Sequence, residues 1–98
     1  MRRERDAAAL LGRALLASGK AAGCAVELAD MRSRNWASAT FAGERVTLTL
    51  RVANGAKAWL AALPEAELPL PGCFVAELEV SASEDGTASL EALVLWDA

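Results

Sequence analysis

The sequence predicts an α+β fold, with two helices packed on a mainly antiparallel five-stranded sheet in the order α-β-β-β-α-β-β. Three observations lead there. Apolar residues recur at three-to-four-residue spacing near the N-terminus and again past the middle. They alternate with polar residues in five short stretches. Ninety-eight residues make one domain, 1–98, with no room for a second core.

Residues 4–18 read as the first helix, since Ala7, Leu10, Leu11, Ala14 and Leu15 fall on one face while Arg5, Gly12 and Arg13 fall off it. Gly19-Lys20 reads as its stop. Three strands are expected next: "CAVELAD" (24–30), "NWASATF" (35–41) and "ERVTLTLRV" (44–52), the last with Val46, Leu48, Leu50 and Val52 inward. A turn centred on Ala42-Gly43 pairs Ala39 with Val46 and Ala37 with Leu48. It sets Trp36 opposite Thr49 and Thr40 opposite Arg45 on the outer face.

Asn54 is placed to cap a second helix over 55–63, with Ala56, Trp59, Leu60 and Leu63 on one stripe and Pro64 closing it. Strands over 74–82 and 88–96 follow, joined by "SEDGT", whose Asp85-Gly86 suits a tight turn. All three prolines lie between Pro64 and Pro71. Their P-x-P spacing, without a flanking arginine, reads as a stiff connector and not as a docking motif. The order of elements resembles that of small acidic dimeric secretion chaperones, without their final helix; fold analogy alone licenses no function.

Of the 54% hydrophobic residues, 23 are alanine and two are cysteine. The 28 large apolar side chains that remain supply one modest core. The net charge of −3 gives no general attraction to nucleic acid. The charge is divided along the chain: residues 1–51 carry nine basic and five acidic groups, residues 52–98 one basic and eight acidic. Internal compensation explains this most simply, with head-to-tail self-association as the sharper reading. Cys24 and Cys73 read as small hydrophobes, not as a disulfide framework or a metal site. Glu4 and Asp6 acidify the N-terminal region, and Gly12-Arg13 interrupts its apolar run, so the chain reads as cytoplasmic and not secreted. No stretch approaches the roughly 18 apolar residues of a membrane span.

The sequence contains no histidine and no tyrosine, which removes the usual nucleophile–base pairs and imidazole ligands. No phosphate-cradling glycine motif occurs, and no cofactor is implied. The remaining catalytic candidate is a carboxylate cluster, Glu77, Glu79 and Glu91 on the last hairpin. It would suit an enzyme or small-molecule binder if Glu79 faces Glu91 and their like charges raise one pKa. A two-residue turn would set Glu79 opposite Ala92 instead, and Arg45 or Arg51 could neutralise such glutamates across the sheet.

The more informative feature is apolar. The last strand carries Leu90, Ala92, Val94 and Trp96 on one face and Leu93 and Leu95 on the other. Either register turns large side chains outward beside Val75, with Trp36 outward as well. A strand apolar on both faces is a central buried strand, with one helix per face, or part of an interface. The reading favoured by the sequence is a small non-enzymatic interaction domain, a homodimer joined through the outer sheet face. Trp36, Val75, Leu93, Leu95 and Trp96 are its contact residues, and a monomeric adaptor for another protein is the variant of the same idea. Nucleic acid and membrane partners are not expected.

Overall fold

A computed structural model describes residues 6–53 and 55–97. Asp6 starts the first helix, α1 (Ala7–Ala21), by accepting the Ala9 amide on its carboxylate at 3.0 Å. The helix runs three residues past its expected end. Gly19 sits inside it, where a Cβ would stand 2.6 Å from Cγ2 of Val26, so the bare backbone lets the next strand pass. The stop is Gly23 at φ +80, beyond which the Cys24 amide returns to the Gly19 carbonyl at 2.8 Å.

The sheet has four strands, not five. Residues 26–30 and 35–37 of the stretches expected as separate strands at 24–30 and 35–41 belong to one twelve-residue strand, β1 (Val26–Ala37), bulged at Ala29. The polar run Arg32–Asn35 hides this continuity. Those side chains are exposed, and the strand is held there by backbone pairing with β2 (Ala42–Val52). The turn lies at Ser38–Phe41, with the Ser38 amide donating to the Phe41 carbonyl at 2.8 Å and Ser38 Oγ accepting the Phe41 amide at 3.1 Å. The register moves accordingly: Trp36 faces Gly43 instead of Thr49, and Ser33 takes the place expected for Ala39 opposite Val46. With the strands merged, the order of elements is α-β-β-α-β-β and not the expected α-β-β-β-α-β-β.

Helix α2 is short, Lys57–Ala62; it ends before Pro64, which lies in a separate 3₁₀ turn at Leu63–Glu65. The Asn54 cap lies outside the described residues. The proline segment then runs to a Leu70–Cys73 bridge and a Pro71-Gly72 turn with Gly72 at φ +77, which serves as the joint into β3 (Cys73–Glu84). Asp85-Gly86 turns the chain into β4 (Thr87–Trp96).

The sheet order is β1-β2-β4-β3, every neighbour antiparallel, so the first half of the chain builds one half of the sheet and the second half the other. The core lies on one face only. Leu11 and Leu15 of α1, Trp59, Leu60 and Leu63 of the α2 region, and Val46, Leu48, Leu50, Leu78, Leu90 and Val94 form one buried cluster. Trp59 Nε1 donates to Ser18 Oγ at 2.9 Å and ties the two helices together. Both helices therefore cover the same face, and no described helix covers the other.

Candidate functional site

Strand alternation decides what the open face carries. With Val46, Leu48 and Leu50 turned into the core, Gly43, Arg45, Thr47, Thr49 and Arg51 of β2 face the other way. Their partners continue the rows across the sheet. One row reads Trp36, Gly43, Leu95, Phe74; the next Arg34, Arg45, Leu93, Glu77; the third Arg32, Thr47, Glu91, Glu79.

This register places Trp36, Leu93 and Leu95 together on the open face. Val75 pairs with Val94, Trp96 with Cys73, and both Val75 and Trp96 pack on the core side. The phase change comes from the bulge at Ala76: Val75 points inward, yet Glu77 points outward beside Leu93. Of the five expected contact residues, three share this surface and two do not.

Two aromatics missed by the sequence reading occupy the same end. Phe41, in the turn before β2, meets Phe74 edge-on, with ring centroids 6.5 Å apart at 82°. They are the large apolar side chains left most open, 48% for Phe41 and 41% for Phe74. Leu93 and Leu95, at 5% and 7%, are nearly covered within the chain and form a floor outside the main core. The close approach of β2 to β4 at this end needs Gly43, because a Cβ there would collide with the Val94 carbonyl. Trp36 stands directly opposite, the cross-strand position from which an aromatic ring shields a glycine's bare backbone.

Beside the aromatic end the face is charged and divided. Arg32, Arg34 and Arg45 lie on β1 and β2, and Glu77, Glu79 and Glu91 lie on β3 and β4. Arg34 is a direct neighbour of Arg45, and Glu79 of Glu91. Arg45 crosses the divide to Glu77 at 3.9 Å, whereas Arg51 meets Glu27 at 3.4 Å and Arg32 meets Asp30 at 3.5 Å within the first half. A depression of about 460 Å³ lies among Arg32, Arg34, Arg45, Thr47 and Glu91.

The carboxylates Glu79 and Glu91 do pair, although the turn has two residues, because a second bulge at Ser81 shifts the ladder by one. Both are exposed, and no group of three or more metal-ligating side chains occurs among the described residues. Cys24 and Cys73 are not joined to each other by a disulfide. Among the described residues, no helix is long and apolar enough to cross a membrane. Comparison with protein families, characterised proteins and solved structures finds no significant match.

Proposed function

We propose that this protein is a small non-enzymatic interaction domain that self-associates through the open face of its sheet. The observation that carries this reading is the exposed Phe41–Phe74 pair, with half-buried Trp36 at the other end of the Phe74 row, Leu93 and Leu95 between the edges, and no described helix over them. Clustered exposed aromatics beside charged residues are the composition of binding surfaces. Size permits it: four strands about 4.8 Å apart and roughly 30 Å long give a face of roughly 600 Å², so two copies would bury about 1,200 Å², the lower end of specific interfaces.

Light scattering coupled to size exclusion over a hundredfold concentration range tests the reading. A dimer is expected for the native chain. Phe74→Glu and Trp36→Ala are each expected to raise its dissociation constant about 30-fold, the factor that ~2 kcal/mol represents, with unchanged circular dichroism. A native chain that stays monomeric throughout overturns self-association. A dimer indifferent to both substitutions moves the interface elsewhere.

A further inference from the structure

The charge pattern of the open face points to the symmetry of that dimer. We infer that the second copy is related by a two-fold axis lying between the two sheets, parallel to the strands and over the seam between β2 and β4. The inference rests on the self-association proposed above and adds how the copies are oriented.

Two like-charged pairs sit side by side on this face, although Arg45 has Glu77 as a partner within the chain, as Arg32 has Asp30. Like charges directly opposite on neighbouring strands repel, yet Arg34 lies beside Arg45, and Glu79 beside Glu91. Arg32, Arg34, Glu79 and Glu91 are exposed, so nothing in the chain buries them or obliges this grouping. Because the sheet order is β1-β2-β4-β3, the half built by β1 and β2 carries Arg32, Arg34, Arg45 and Arg51 against Asp30 and Glu27, a net positive balance, and the half built by β4 and β3 carries Glu77, Glu79, Glu84 and Glu91.

Two such faces can meet about either of two in-plane axes. An axis across the strands lays β1 on the partner's β1 and β3 on its β3, so the glutamates of β3 oppose glutamates, while on β1 Asp30 and Glu27 are the acidic groups within reach of its arginines. An axis along the strands keeps each row at its own height and exchanges left for right. β1 then lies over the partner's β3, and β2 over its β4. Arg34 comes opposite the second copy's Glu77, Arg32 opposite its Glu79, and Trp36 opposite its Phe74, each contact occurring twice as a two-fold interface requires. The near-covered Leu93 and Leu95 lie close to the axis, with the charged pairs further out. Sheets stacked this way keep their strands within about 30° of one another, so the rows stay roughly matched over this face.

Two sets of variants test the geometry. R32E/R34E reverses the charges that β1 presents, and E77R/E79R reverses those that β3 presents to it. Each alone is expected to lose association at least tenfold, while an equimolar mixture of the two restores a dimer of native affinity. Circular dichroism checks that each variant is folded. For the axis, R34C and E77C chains are treated with a short bis-maleimide, the native chain serving as control for Cys24 and Cys73. The mixture is expected to cross-link R34C to E77C, and R34C alone is not.

A native dimer whose charge-reversed variants associate like the native chain overturns the charge-matched geometry and leaves self-association standing. Cross-linking of R34C to itself replaces the axis by one across the strands. A native chain that is monomeric at every concentration removes the underlying reading instead.

Discussion

The guanidinium of Arg45 and the carboxylate of Glu77 meet at 3.9 Å across a strand that belongs to neither of them. Arg45 is on β2 and Glu77 on β3, and Leu93 of β4 is the residue between them in the same row. The ion pair thus closes over an apolar side chain and helps leave it only 5% exposed. Both partners remain solvated, so the pair's own electrostatic worth is small. A double-mutant cycle on Arg45→Ala and Glu77→Ala, read by urea unfolding, is expected to give a coupling of about 0.2–1 kcal/mol that shrinks at high salt. A coupling several times larger would mean that the pair is shielded from water by something more than its own row.

Gly43 is the position least able to accept a side chain. Its φ is ordinary, and the constraint is the Val94 carbonyl lying where a Cβ would go. Gly43→Ala must spread β2 from β4 beneath the aromatic cluster and is expected to cost about 1–3 kcal/mol by urea unfolding, the range for overpacking. A neutral result would show that the two strands relax apart easily here.

Glu44, only 9% exposed, presents its Oε2 to the Ala7 amide at 3.4 Å and so supplies a negative charge to the N-terminus of α1 from a different element. Glu44→Ala is expected to destabilise the fold by about 1 kcal/mol, and Glu44→Gln by less, because the amide oxygen keeps an acceptor for that N–H. Equal losses from both would assign the effect to charge and not to the hydrogen bond.

The bond from Trp59 Nε1 to Ser18 Oγ joins the end of α1 to a helix of only six residues. So short a helix does not persist without packing. Ser18→Ala leaves a partly buried indole N–H without its acceptor and is expected to cost about 1–2 kcal/mol in urea unfolding. Amide exchange in residues 57–62 is expected to quicken more than in β2 or β4. Uniform exchange across the chain would show that α2 opens only with the whole domain.

Much of the architecture was legible from periodicity, and the failures have local causes. Val46, Leu48 and Leu50 alternate so strongly with Arg45, Thr47 and Thr49 that β2 and its core face could be read directly. Its neighbour could not. Arg32–Asn35 gave no alternation because pairing, not burial, holds them, and Gly43 looked like a turn when its use is close approach. Leu93 and Leu95 were readable as one face of β4, but the choice of face needed the register. Val75 was expected outward and Phe74 was overlooked, because the extra residue that inverts the phase is Ala76, a small side chain that disturbs no pattern. The aromatics flanking Gly43 in space were the available signal, since a glycine inside a strand calls for a nearby ring.

The bulges themselves bear on how far assembly can proceed. Ala29 interrupts the outermost strand at one side of the sheet, and Ala76 and Ser81 interrupt the outermost strand at the other, while the ladder between the two inner strands is regular. A flat unbroken margin would template further strands without limit. These kinked margins resist lateral growth, so if two copies join through the face as proposed, that contact leaves no second adhesive surface. Such an assembly would be a finite particle and not a fibre.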